Sequence, residues 1–346
     1  MKKKLLCLFL ALVCVFSMTC CGKADKSADS KDGKKHETTA TQPTTQPTVP
    51  TTQPAPTEPE PTEPPEPVAP EFDPYTNKAW ADDGVLKILT IGNSFSRDAM
   101  AYVYDIALAA GAEEVYLGDM YIGSCTVAKH LKNAKEDNGA YSYFTNENDK
   151  WVEHTKYKMS DAIKSQDWDF ISIQQNCENS GRPEKYSDLQ ELVTIVKSQA
   201  TNPNVEIVWH MTWAVQNDYT GNLFVHYQMD QETMYNAIVN AVKQEVFPIE
   251  EITRVIPNGT VMQNIRSSYW GDNICRDSLH LSLPYGRILA GITIVAATIG
   301  IDWDTIDLTD VHSKLEDDEK YIQVALESVK NAMENPYQVT QSKITE

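Results

Sequence analysis

The first strand-like run of this chain closes as Leu89-Thr90-Ile91-Gly92-Asn93-Ser94-Phe95-Ser96, and towards the far end stands Asp277-Ser278-Leu279-His280. An apolar strand that ends in a small glycine turn lifts a serine out at the carboxyl edge of a parallel sheet, where loops converge on one crevice. Asp-x-x-His supplies the other two parts of a nucleophilic relay. With two residues between them, carboxylate and imidazole share one short loop, and the acid fixes the ring so that its second nitrogen faces the serine. Either pattern alone recurs by chance in many chains. Together they point to ester hydrolysis through Ser94, with His280 as base and Asp277 as the acid that orients it.

These residues and two segments between them resemble the SGNH, or GDSL-like, hydrolases, and specifically a branch with Gly-Asn-Ser in its first block that carries the label domain of unknown function. The resemblance covers roughly residues 84 to 300. Ile122-Gly123-Ser124-Cys125 looks like the family's second block, where a glycine amide donates to the oxyanion. Phe170-Ile171-Ser172-Ile173-Gln174-Gln175-Asn176 looks like the third, a strand followed by a turn that carries an amide side chain. His280-Leu281-Ser282 and Gly286-Arg287-Ile288-Leu289 resemble the segment leading into the last helix of such enzymes. The resemblance implies an oxyanion pocket made by the amides of Ser94 and Gly123 and by the side chain of Gln175 or Asn176. It departs from the wider family at Asn93, where that family has Asp, and at Gln174-Gln175-Asn176, where it has Gly-x-Asn-Asp. The fold it implies is a three-layer α/β/α sandwich with a mainly parallel sheet of about five strands.

The elements that must position these residues alternate as a parallel sheet requires. Strands are expected at Leu86–Ile91, Val115–Met120, Phe170–Ile173, Val205–Trp209 and Arg254–Pro257. Helices are expected at Asp98–Ala110, where Met100, Val103, Ile106, Ala107 and Ala110 recur at helical spacing, and at Asp161–Ser165, Ser187–Ser198, Gln231–Val246 and Arg287–Gly300. Ser187 is the cap expected for its helix. Residues 136–158, rich in Tyr, Trp and Asn without a clean period, read as an excursion, a hairpin near the site. In Trp209-His210-Met211-Thr212-Trp213 the chain leaves the fourth strand, so His210 and Trp213 are expected to reach the same crevice and, with Gln174, to bind substrate. Tyr121 and Arg287 are lesser pocket candidates, and His130, His154, His226 and His312 read as surface or structural residues.

The chain opens with Lys2, Lys3 and Lys4, an apolar run from Leu5 to about Met18, and Thr19-Cys20-Cys21-Gly22. This resembles a bacterial lipoprotein signal, with Cys21, or alternatively Cys20, as the acylated residue. From residue 21 to 80 the chain is Lys, Asp and Ser, then Thr, Gln, Pro and Glu, with nothing to build a core, and reads as a tether. Some fifty residues biased to polyproline II would reach on the order of 150 Å. Residues 81–346 are long enough for one well-cored domain. The formal net charge of −19 argues against nucleic acid, anionic lipid and polyanionic glycans as partners. Four of seven cysteines lie in the leader and at the lipidation site, leaving Cys125, Cys177 and Cys275. Three cannot all pair; a bridge from Cys125 to Cys177 and three buried free thiols are both compatible with the sequence. No Cys/His spacing suggests a metal site, and no cofactor is expected.

The expectation is a surface lipoprotein that deacetylates a polysaccharide or cleaves a small ester. Two alternatives share the evidence. One is a lipase or thioesterase with the same relay, and the other is a glycan-binding lipoprotein with an inherited hydrolase fold and no catalysis.

Overall fold

Five runs rich in Val, Ile and Leu form the parallel part of the sheet, because strands buried on both faces need apolar residues at nearly every position. The computed structural model describes residues 68–69, 79–312, 314–315 and 319–345. The expected leader, the lipidation candidates Cys20 and Cys21, and nearly all of the expected tether lie outside the described residues. Strands β1 (Val85–Gly92), β2 (Glu114–Tyr121), β3 (Tyr141–Glu147), β4 (Lys150–Tyr157), β5 (Phe170–Ile173), β6 (Glu206–His210) and β7 (Ile252–Ile256) form one sheet in the order β4-β3-β2-β1-β5-β6-β7. β2, β1, β5, β6 and β7 are parallel, and β3 and β4 add an antiparallel hairpin at one edge.

The fold is thus the expected α/β sandwich, with seven strands in place of about five. The two additional strands lie in the segment expected as an excursion. Their two-residue turn, Asn148-Asp149, has positive φ at both residues, 54° and 57°. That is the turn whose twist suits a tight hairpin, and Asn and Asp tolerate it. Arg97, from the helix that follows Ser94, lies over the rings of Phe144 and Trp151 at 4.0 and 4.5 Å, which fastens the hairpin beside the site.

The Tyr285–Thr298 helix, buried along almost its whole length, packs against the Ser94–Ala99, Val103–Ala109, Asn258–Arg266 and Glu319–Glu334 helices. The Val127–Glu136 helix packs against Met159–Ile163 and Leu189–Gln199. No helix among the described residues is long and apolar enough to cross a membrane.

Several boundaries move for local reasons. The single helix expected over Asp98–Ala110 is two, Ser94–Ala99 and Val103–Ala109, separated by tight turns in which Ala101 N donates to Asp98 O and Val103 N to Met100 O. The helix expected from Ser187 begins at Leu189, with Asp188 at the cap position and no side-chain cap bond. The helix expected over Gln231–Val246 is α-helical to Ala241 and ends in one π turn, 242–246. Helices Val127–Glu136, Asn258–Arg266 and Glu319–Glu334 were not anticipated.

Candidate active site

From β1 the chain crosses to β2 on one side, then returns past β1 to β5 on the other. The reversal opens a crevice at the carboxyl ends of these strands, the usual ligand position in such sheets. Ser94 follows β1, Gly123 follows β2, Asn176 follows β5 and Trp213 follows β6. Ser94 is also the first residue of a short helix, with Asn93 as its cap accepting from Phe95 N at 3.0 Å. Gly92 permits the turn: a Cβ there would stand 2.7 Å from Ser96 Oγ and 3.0 Å from Gln174 Cδ.

Ser94 Oγ lies 2.9 Å from His280 Nε2, and His280 Nδ1 lies 2.8 Å from Asp277 Oδ2. With Nδ1–H given to the carboxylate, Nε2 is free to accept the serine proton. Asp277 Oδ1 also accepts from the amides of Leu279 (3.2 Å) and His280 (2.6 Å). Burial alone would raise the Asp277 carboxyl, but the His280 amide and ring and the Leu279 amide hold it below the ordinary range. Ser278 takes a left-handed conformation, φ 62°, which lets acid and base fold back on each other.

Two amides at this edge, those of Ser94 and Gly123, have no acceptor among the described residues. Asn176 Oδ1 accepts from Asn179 N at 3.2 Å, while its Nδ2 has one long contact, 3.5 Å to Ser124 O, beside Gly123. Gln175 is used up. Its Oε1 accepts from the amides of Val127 (3.1 Å) and Asn176 (3.0 Å), and its Nε2 donates to Lys185 O (3.0 Å). Of the two oxyanion candidates, Asn176 keeps donor capacity at the crevice, and Gln175 is a clip between loops.

The substrate-binding assignments of His210, Gln174 and Trp213 are corrected by their burial: they are 2%, 1% and 0% exposed. Asn258 Nδ2 donates to His210 Nε2 (2.9 Å), His210 Nδ1 donates to Gln174 Oε1 (3.0 Å), and Gln174 Nε2 donates to Asn93 Oδ1 (2.9 Å). Asn93 Nδ2 completes the series at Cys125 O, 3.2 Å away. Burial pushes His210 down to about 3, so the ring is neutral and both nitrogens are occupied. The departures at Asn93 and Gln174 are one feature. An aspartate at 93 could not donate to Cys125 O, and Gln174 supplies both the acceptor and the donor that link Asn93 to His210.

Trp213 stacks on Phe95 at 4.0 Å and donates Nε1–H to Leu279 O at 2.9 Å. It steadies the Asp277–His280 loop from beneath. Phe95 also meets the His280 ring edge-on at 6.0 Å.

Asp98 was missed by sequence reasoning. It is 1% exposed and sits one helical turn after Ser94. Its carboxylate accepts from Arg276 Nη1 (3.0 and 3.1 Å), Arg287 Nε (2.9 Å) and Leu281 N (2.9 Å). One anion therefore ties the Ser94–Ala99 helix to both flanks of the His280 loop. The signal was present as an acid four residues after the serine and two arginines flanking Asp-x-x-His. Arg287 belongs to this clamp. Cys125, Cys177 and Cys275 are free thiols, the first two buried.

Sheet order and the hydrogen-bonded placement of Ser94, His280 and Asp277 at its carboxyl edge fit an α/β fold of the SGNH-hydrolase type. The chain belongs to the family described as domain of unknown function DUF4886, whose match spans residues 87–314. It is similar to the crystal structure of a DUF4886 family protein from Bacteroides uniformis ATCC 8492, with 30% identity, 74% of this chain and 98% of that chain covered, and a TM-score of 0.66. A fainter likeness is to a catalytic mutant of Axe2, an acetylxylan esterase from Geobacillus stearothermophilus (15% identity, 63% and 95% covered, TM-score 0.43). Another is to LAE5, an alpha/beta hydrolase enzyme from the metagenome of Lake Arreo, Spain (10% identity, 61% and 91% covered, TM-score 0.37). No curated protein matches the chain.

Proposed function

We propose that this protein is a serine esterase that removes small acyl groups, acetyl foremost, from a polysaccharide at the bacterial surface. The observation that carries the reading is the continuous hydrogen-bonded series Ser94–His280–Asp277 beside two amides that have no acceptor among the described residues. Ser94 Oγ attacks the ester carbonyl as its proton passes to His280 Nε2, and Asp277 stabilises the imidazolium. The oxyanion receives the amides of Ser94 and Gly123 and Asn176 Nδ2. Collapse breaks the ester C–O bond, His280 returns the proton to the leaving alcohol, and water repeats the sequence on the acyl-serine.

A small acyl group on a large alcohol fits the surroundings. The relay is open to solvent, with the side chains of His280 and Asp277 24% and 50% exposed. Its neighbours Gly123, Ser124, Asn176 and Ser278 are small or polar, whereas a long acyl chain needs an apolar tunnel. Cavities of about 590, 420 and 210 Å³ lie elsewhere, none lined by Ser94 or His280. The lysine-led apolar start and Cys20-Cys21 support lipid anchoring, and the Pro/Thr-rich stretch supports a long tether.

The test is labelling of the full chain by a fluorophosphonate, with acetate release from an aryl acetate and from acetylated xylan. Native protein should label and release acetate, and Ser94→Ala should lose at least roughly 10⁴-fold in rate. Folded native protein that neither labels nor hydrolyses would remove the esterase reading in favour of glycan binding without catalysis.

A further inference from the structure

The Gln231–Ala241 and Asn258–Arg266 helices and the segment 337–341 line the cavity of about 590 Å³. That volume is typical of small-ligand sites. Six side-chain amides contribute to its wall, among them Asn236, Gln263 and Gln341, together with Arg266 and the carboxylates of Asp230 and Glu232. Gln263 and Arg266 are three residues apart on one helix and so share a face. Gln263 Nε2 and Arg266 Nη1 are both enclosed and have no hydrogen-bond partner among the described residues. The Arg266 side chain is 5% exposed, and its Nε lies 2.8 Å from Asp272 Oδ1.

Enclosed N–H groups without acceptors are costly, so oxygen acceptors from solvent or ligand belong beside them. The charge of Arg266 is already balanced by Asp272, and Asp230 and Glu232 repel an anion. Side-chain amides each offer a donor and an acceptor, the complement of a hydroxyl. We propose that this cavity is a second binding site, for a short stretch of neutral sugar chain.

The cavity adjoins the proposed catalytic loop through shared supports. Asp272 accepts from the Asn217 amide (2.9 Å) and from Gln231 Nε2 (3.1 Å), two further wall residues, and the Gln216 amide donates to Ser278 O at 2.8 Å. A polymer held there raises the effective concentration of its esters at Ser94, as linked binding sites do. The ligand class follows from the cavity's own lining, so sugar binding and ester hydrolysis can fail separately.

Calorimetric titration of the full chain with xylohexaose, mannohexaose and an oligogalacturonate decides the matter. At least one neutral hexasaccharide should bind in the millimolar range or tighter, and the oligogalacturonate should not. Gln263→Leu and Asn236→Leu should each weaken that binding on the order of tenfold. Gln263→Leu removes an amide without a bonding partner, and Asn236 is exposed; unchanged melting temperatures should confirm that both variants fold. Absence of binding by both neutral sugars, stronger binding of the acidic one, or binding indifferent to both substitutions would overturn the proposal. Sugar binding without any hydrolysis would leave it standing and remove only the esterase reading.

Discussion

Neighbouring amides in one loop have opposite duties, and their partners separate them. Gln175 spends both ends on bracing Val127, Asn176 and Lys185, whereas Asn176 retains donor capacity beside Gly123. Asn176→Ala is therefore expected to lower kcat by roughly 10²–10³ with little change in KM, the signature of a donor used in the transition state. Gln175→Ala should instead lower the melting temperature, because it strips acceptors from two buried amides. Steady-state kinetics beside thermal melts on the two variants separate the roles. Equal kinetic losses in folded proteins would refute the division. His210 illustrates the same rule. Its position at the carboxyl end of β6 suggested the crevice, but burial and two amide partners make it a neutral spacer, so any acid limb in the activity profile should persist in His210→Gln.

At the scale of elements, the crevice exists because short loops from β1, β2 and β5 are stitched together. Ile122 N donates to Gly92 O at 3.3 Å, and Asn93 reaches Cys125 across the same gap. The loop carrying Asp277 and His280 arrives from far along the chain and is held from two directions, by Trp213 below and by Asp98 at its flanks. Asp98→Asn leaves Arg276 and Arg287 sharing a neutral partner. The arginines are 35% and 29% exposed, so the cost should fall at the low end for a broken buried pair, about 3 kcal/mol. Because the loop then loses its register on Ser94, kcat should fall more than tenfold while KM moves little. Urea unfolding and steady-state kinetics on the same preparation check both. A stability loss with unchanged kcat in the folded fraction would show that the clamp is only structural.

For the whole molecule, two buried histidines set a limit in acid. Burial lowers His130, with a contribution from Lys129, and lowers His210, each from the ordinary 6.5 to about 3. Below pH 6.5 the unfolded chain takes up protons that the folded chain refuses, so the stability contribution present above 6.5 is lost as pH falls towards 3. Each histidine contributes a slope of about 1.4 kcal/mol per pH unit across that window. Asp169, raised by burial to about 6, acts in the opposite sense between there and the ordinary carboxyl value of 3.8. Between pH 6.5 and 5, His130→Gln should lose about 2 kcal/mol less stability than the native chain, measured by urea unfolding at both pH values. Parallel losses would contradict this. Anchoring is tested on the same scale: an alkyne fatty acid fed to expressing cells should label the native chain and not one with Cys20→Ala and Cys21→Ala, which should appear in the medium. Equal labelling would rule out lipidation at either cysteine.

Most parallel strands were legible because burial on both faces demands unbroken runs of Val, Ile and Leu, a pattern local in sequence. The spacing of Asp277 and His280, and a serine placed just after a strand, were legible for the same reason: each is settled within a few residues. The β3–β4 hairpin was legible as an excursion near the site, but not its place as the edge of the main sheet, because its alternation is mixed with aromatics that pack on Arg97 from another element. Nor could spacing tell which polar groups face the crevice. Local sequence was enough for an α/β domain and for the residue types of a Ser-His-Asp series. The assembled fold alone settles that Asn176 keeps a weakly engaged donor beside Gly123 while Gln175 spends both ends on bracing loops, that His210 and Trp213 are supports, and that Asp98 closes the loop across 178 and 189 residues. The physical reason is range: strand periodicity is set by neighbours along the chain, whereas burial and hydrogen-bond pairing depend on segments brought together only when the sheet assembles.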